Sequence, residues 1–331
     1  MRLDSLGETM NELYDMVCVD ERNMDKWKQI VEDADQSSIF IDDDYLKQVG
    51  FIGVKYLIIR KGKPFMGLCI PVDCKTGMST TVVPYAPYQG FLYTRNGDSY
   101  SDYSSNLDAT TLLLEKIYED GNMKKVAFGN HYTVKDMRAV QWHHYHQPKL
   151  GMYRINLRYT AMIDLTDDTW ENRLSKGRRL DYKYSQNRYG LSCEISYDTS
   201  KFIELYDKTF FRQGIDLPDN ELDTVRRITQ LLLQQKKAIL SYAVDSNGNY
   251  YDAVVVAYHK STGYYLFGAN DPEHRDYGGG TLLLMHQMKK LKENGIREFD
   301  FIGVNSPQRG GFKLSFGGMI CPYYTCEVDY E

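Results

Sequence analysis

Three consecutive glycines, Gly278 to Gly280, stand directly in front of an apolar helical pattern in the stretch EHRDYGGGTLLLMHQMKKLKENG, residues 273–295. Glycine costs roughly 0.5–1 kcal/mol relative to alanine inside a regular element. A triple glycine at a helix start therefore means that the backbone turns tightly there, or that something approaches it closely. The stretch spells Arg275-x-x-Gly278-x-Gly280, after a strand and before a helix. That order gathers unpaired backbone N–H groups and the positive end of a helix dipole around a point free of side chains, an anion site suited to a pyrophosphate. A glycine-rich turn that merely lets the helix pack closely has the same sequence.

The rest of the chain fixes the setting. Its 331 residues predict two domains. At 42% hydrophobic and 26% charged, each half can bury a core. A net charge of −5 argues against a general nucleic-acid binder and gives no expectation of a DNA partner. No apolar run reaches the length of a membrane span, and MRLDSLGETMNELYDM carries acids where a secretory signal needs an apolar core. The expected location is the cytoplasm, with the six cysteines as buried, reduced thiols. The 28 tyrosines read as amphipathic packing, or as the lining of a cleft for a polar substrate.

Alternation around KGKP predicts a hairpin over VKYLIIRKGKPFMGLCIPVD. SNLDATTLLLEKIYEDG reads as a helix capped by Asn106 or Asp108 and ended by Gly121. VKDMRAVQWHHYH reads as a helix stopped by Pro148. From about residue 155 the pattern restarts, with a strand YTAMIDL and one helix over DDTWENRLSKGRRLDYKYSQNRYG. Two further helices, a three-strand meander, the glycine helix, REFDFIG and a last strand ICPYYTCEV follow. The predicted fold class is α/β (α+β), with two domains over 1–155 and 156–331, each a mixed, mostly antiparallel sheet flanked by helices.

The order meander, R-x-x-G-x-G, helix, strand, helix and strand resembles the GNAT acyltransferase superfamily. The tail GIREFDFIGVNSPQRGGFKLSFGG, a G…FDFxG stretch followed by GxFKxxFGG, is similar to the FemAB-like branch, whose members carry two GNAT-like domains in tandem. The basic stretch LSKGRRLDYKYSQNRYG resembles the helix that opens the second domain in that branch. The resemblance implies an enzyme that transfers an acyl group to an amine of an amino sugar, a cell-envelope glycan or a peptide precursor. The acceptor would be a small molecule, or be linked to a lipid or nucleotide. The implied donor is acyl-CoA, with aminoacyl-tRNA as the alternative. It would be held by Arg275, Gly278, Gly279, Gly280 and Thr281. The first domain, which lacks the glycine motif, would shape the acceptor side.

Direct acyl transfer needs the amine deprotonated, the oxyanion stabilised and the leaving group protonated. Lys313 resembles the lysine that FemAB-type enzymes place at the reacting centre; as a bare sequence feature it is equally an exposed helix lysine. Asp300 is open between a base and a brace for the loop that follows it. Tyr258, with His259, Tyr264 and Tyr265, lies where GNAT relatives draw an acid or base. Arg178 and Arg179 of the basic helix suit an acceptor's diphosphate, and Asn305 and Gln308 add polar contacts. His143, His144 and His146 do not face one point on a regular helix, and no nearby Cys or Glu completes a set, so no metal is expected. A protein that only binds a nucleotide or glycan is the non-enzymatic alternative.

Overall fold

The computed structural model describes residues 14–330, in two compact units. One comprises the chain up to Arg158 together with Pro322 onward, and the other Tyr159–Cys321. The last ten residues thus belong to the first unit and not to the second, as chain order alone had suggested.

In the first unit, β1 (Tyr14–Cys18), β2 (Phe51–Arg60), β3 (Lys63–Asp73) and β4 (Phe91–Tyr93) form an antiparallel sheet in that order. The predicted hairpin is β2–β3. Lys61 and Gly62 both adopt positive φ, +50° and +77°, the backbone that a two-residue turn between twisted strands requires. Helices α1 (Met24–Asp33), α2 (Asp43–Gln48), α3 (Tyr100–Asp120) and α4 (Arg138–Trp142) accompany the sheet. β5 (Lys125–Gly129) pairs with Thr325–Asp329 of β12 (Met319–Asp329). Leu113, Leu114 and Ile117 of α3 join Met66, Leu68, Phe91 and Phe128 in the core.

Two helix boundaries differ from expectation. α3 starts at Tyr100, not near Asn106, because the Ser99 hydroxyl accepts from the Asp102 N–H at 3.1 Å and caps an earlier turn. α4 ends at Trp142, before the histidines, because His143 is non-helical and His144 takes a φ of +55°.

The second unit is an α/β layer with strand order β6-β11-β10-β9-β8-β7. Its strands are β6 (Arg154–Asp164), β7 (Ser192–Ser196), β8 (Ala238–Val244), β9 (Tyr250–His259), β10 (Thr262–Asn270) and β11 (Glu298–Asp300). All these neighbours run antiparallel except β10 and β11. The helices are α5 (Lys176–Asn187), α6 (Ser200–Phe211), α7 (Asp219–Gln234), α8 (Gly279–Glu293) and α9 (Pro307–Leu314). The expected single helix from residue 167 is broken. Trp170–Arg173 is a 3₁₀ turn, and α5 begins afresh where the Ser175 hydroxyl accepts from the Arg178 N–H at 3.3 Å.

The glycine helix α8 is the centre of this core. Leu282, Leu283, Leu284, Met285, Met288 and Leu291 are fully buried. At roughly 1.5–3 kcal/mol per large apolar side chain, their burial fixes the helix start rigidly against the sheet. Among the described residues no helix is long and apolar enough to cross a membrane. The cysteines are free, but Cys18 and Cys74 are exposed and only Cys69 and Cys326 are buried.

Candidate functional site

The three glycines differ in how far the fold requires them. Gly278 sits at the N-cap of α8 with φ +74°, and a Cβ there would stand 2.8 Å from the Asp181 carbonyl oxygen of α5. Gly279 lies against β9: its Cβ would collide with the Asp252 carboxylate and come within 2.9 Å of the Ala243 Cβ. Gly280 has room, the nearest atom to its Cβ being Asp252 Oδ1 at 3.4 Å. The loop therefore both turns tightly and is closely approached. At two of its glycines the approaching group is the protein itself.

In front of the loop opens a cavity of about 690 Å³, the size of a small-molecule site. Arg178, Arg212, Arg275, Arg309 and Lys313 line it, against the two carboxylates Asp181 and Asp252. Arg178 is held from three sides. Its Nη1 donates to Thr281 Oγ1 at 2.7 Å, its Nη2 pairs with Asp181 at 2.6 Å, and its guanidinium lies 4.9 Å over the Phe312 ring. Its Nε is buried without a hydrogen-bond partner. An unused guanidinium donor, a glycine whose missing Cβ leaves space, and an excess of cations together fit an anionic ligand such as one bearing phosphates.

Lys313 is not an exposed helix lysine. Its Nζ donates to the carbonyls of Phe301 at 2.6 Å and Gly303 at 2.9 Å, and lies 5.5 Å from the Tyr265 ring centroid. An ammonium has three donors, so these two bonds leave one for the cavity. Burial pulls its pKa down to about 8; the Asp300 charge works in the opposite direction and Arg309 adds to the fall. The carbonyls it takes belong to the segment leaving β11, which pairs with β10 over Thr262–Tyr264 while β10 runs on to Asn270. Lys313 thus stands where the two parallel strands part.

Asp300 and Asn305 brace that segment. The Asp300 carboxylate accepts from the Thr160 hydroxyl and from the Ile302 N–H at 2.7 Å. Ile302 has a φ of +43°, a costly conformation for a β-branched residue that the brace sustains. Asn305 exchanges two 2.9 Å hydrogen bonds with the Tyr159 backbone, one through its carbonyl oxygen and one through its amide. Of the other expected residues, Arg275, Gly278, Gly280, Thr281 and Arg178 line the cavity. Arg179 is exposed and donates to the Asn172 carbonyl at 3.2 Å. The Tyr258 hydroxyl donates to the Lys236 carbonyl at 2.5 Å and is not part of the lining. The Gln308 side chain lies outside the described residues.

Sequence reasoning missed Asp252, Arg212 and Arg309. Asp252 is buried, and burial raises its pKa to about 7, against the opposing pull of the Gly280 N–H and Arg275. It was visible as the one acid inside the apolar run YYDAVVVAY, a position that an acid occupies only with a partner or a purpose.

Comparison with known proteins agrees with this geometry. Residues 172–313 match the family model of the acetyltransferase (GNAT) domain, which is 142 of the 331 residues and nearly all of the second unit. That unit is thus similar to the acetyltransferase (GNAT) domain over most of its length. Over the whole chain the fold is similar to FemX, with 14% identity, a TM-score of 0.68, and 94% of this chain and 96% of that one covered. It is also similar to a tandem GNAT protein from the clavulanic acid biosynthesis pathway, with 11% identity, a TM-score of 0.53 and 96% and 98% covered. A third likeness is to the C-terminal domain of a putative lysylphosphatidylglycerol synthetase from Agrobacterium fabrum, with 13% identity, a TM-score of 0.51 and 92% and 93% covered. No curated protein matches the chain. The tandem GNAT fold read from the motifs is the fold observed.

Proposed function

We propose that the protein is a FemAB-like N-acyltransferase whose donor binds in the cavity before Gly278–Gly280. The observation that carries this reading is the five-cation lining around Arg178 and Lys313, at a helix start made of glycines. Donor phosphates would lie against Arg178, Arg212, Arg275 and Arg309, with the acyl carbonyl towards the remaining N–H of Lys313. An acceptor amine attacks the carbonyl carbon, forming the C–N bond. Lys313 stabilises the oxyanion, a type of contribution worth a few kcal/mol where water is excluded. The C–S bond of a thioester then breaks, and the thiol leaves with a proton while the amine loses one. No Cys or Ser is among the residues lining the cavity, which favours direct attack over a covalent intermediate.

The favoured donor is acyl-CoA, and the favoured acceptor an amine of an amino sugar or cell-envelope precursor. One observation supports an aminoacyl-tRNA donor instead: the Asp252 carboxylate beside the glycine loop opposes a pyrophosphate and suits an α-ammonium. The test is incubation with acetyl-CoA and a panel of amino sugars and peptide amines, read by mass spectrometry. The reading expects an acceptor heavier by one acetyl group with an equal release of free CoA. Tight binding of acetyl-CoA without turnover on any amine would favour a binding-only protein.

A further inference from the structure

The WHHYH stretch does not line the arginine-rich cavity, yet two of its side chains converge on a point in the first unit. Because α4 stops at Trp142, His143 and His144 do not splay as helical neighbours do. Their rings stack with centroids 3.8 Å apart, and Glu115 of α3 faces both. His143 Nδ1 is 3.2 Å from Glu115 Oε1, and His144 Nε2 is 3.8 Å from Glu115 Oε2. All three ligand atoms lie within 4.8 Å of one another. The premise that no glutamate completes a set is corrected here: the glutamate comes from another helix.

We propose that Glu115, His143 and His144 bind a divalent transition cation, with zinc the best match. His144 Nε2 is buried without a hydrogen-bond partner, and buried His143 Nδ1 has only the Glu115 carboxylate within reach. The opposite nitrogen of each ring is held. His144 Nδ1 lies 2.9 Å from the Gly151 carbonyl, which can only accept, so that nitrogen carries the hydrogen and Nε2 presents its lone pair. The Tyr330 hydroxyl lies 3.1 Å from His143 Nε2 and 3.4 Å from the Tyr153 hydroxyl, and in the tautomer with the hydrogen on Nε2 the Nδ1 lone pair faces Glu115. Two lone pairs and a carboxylate thus face one another.

Protonating both rings would stack two imidazolium ions against one carboxylate. A single divalent ion satisfies all three donors. Tetrahedral zinc with bonds of about 2.0–2.2 Å places its ligands about 3.3–3.6 Å apart, so small side-chain rotations suffice, opening ring planes that already diverge by 29°. Imidazole nitrogens with a carboxylate are a zinc-type donor set. A backbone carbonyl and a tyrosine hydroxyl on the far nitrogens are the outer partners that orient ligating histidines. The Glu115 side chain is 42% exposed while those of His143 and His144 are 1% and 5%, so solvent reaches the site from the carboxylate side and can supply a fourth ligand.

The test is titration of the chelator-treated full chain with zinc chloride by calorimetry, with Co²⁺ absorption to report coordination. The proposal expects one saturable equivalent and a low-symmetry visible Co²⁺ band. Glu115→Gln, a nearly isosteric change at a half-exposed side chain, should weaken binding more than tenfold, and His144→Ala likewise. Tyr330→Phe should weaken it roughly tenfold, as loss of an outer partner does. His146→Ala, an exposed neighbour, should leave it unchanged. No saturable binding would overturn the proposal, as would an equivalent that persists in both Glu115→Gln and His144→Ala.

Discussion

Helices α3 and α8 begin in opposite ways. α3 carries its own cap: Ser99 Oγ accepts from the Asp102 N–H at 3.1 Å and donates to the Asp102 carboxylate at 2.7 Å. α8 begins at Gly278, whose absent side chain caps nothing, and the nearest acid is Asp252 from another strand. A helix start that satisfies its own N–H groups is complete as a structural element. One built from glycine, with only the Asp252 carboxylate from another strand at its Gly280 N–H, lies against a cavity lined by arginines, at some cost in backbone entropy. The difference fits a structural role for α3 and the proposed binding role for α8.

The strongest way to break that assignment is at Lys313. Lys313→Met should lower kcat by about 10²–10³, as loss of one oxyanion donor does, with far-ultraviolet circular dichroism unchanged. A variant with near-normal kcat would remove Lys313 from the chemistry. Next is the packing of the glycines. Gly279→Ala should destabilise the fold by about 1–3 kcal/mol through its collision with Asp252, whereas Gly280→Ala should be nearly neutral in urea unfolding. Equal costs at the two positions would contradict the division of labour between them.

Asp252 sharpens the comparison through pH. Its folded-state pKa of about 7 lies above the ordinary carboxylate value because of burial. The folded protein therefore holds this proton more tightly than the unfolded chain. The associated stability is present in full below about pH 4 and is lost as pH rises through 7. Asp252→Asn should abolish that loss, so at pH 8 the variant gains up to about 4 kcal/mol on the wild type relative to pH 4. Parallel stability–pH curves would refute it. The smallest effect is at the other helix: Ser99→Ala should cost about 1 kcal/mol and leave donor binding untouched.

Much of this was legible in the sequence. The β2–β3 hairpin announced itself through KGKP, and α8 through its glycines and apolar run. The FKxxFGG tail singled out Lys313, which lines the cavity. What was hidden depends on contacts distant in sequence. Asn305 mimics a backbone pair with Tyr159, and Asp300 braces Ile302, so two candidate site residues serve to shape the loop that Lys313 reads. Nothing in the spacing of Asp252 and Gly279 shows that they touch. Glu115 and the histidines meet because α4 is only five residues long, a stop imposed by backbone angles at His143 and His144.

The most direct test of the central claim is thermal unfolding of the wild type and of Gly280→Glu with CoA, acetyl-CoA and longer acyl-CoAs. A ligand at about 100 times its Kd stabilises the folded state by roughly 2.7 kcal/mol, enough to raise the midpoint visibly. The account predicts that rise in the wild type and its disappearance in Gly280→Glu, whose new side chain fills the cavity with a carboxylate. An unshifted midpoint for a well-folded wild type with every CoA, or an equal shift in both proteins, would contradict a CoA donor on the glycine loop.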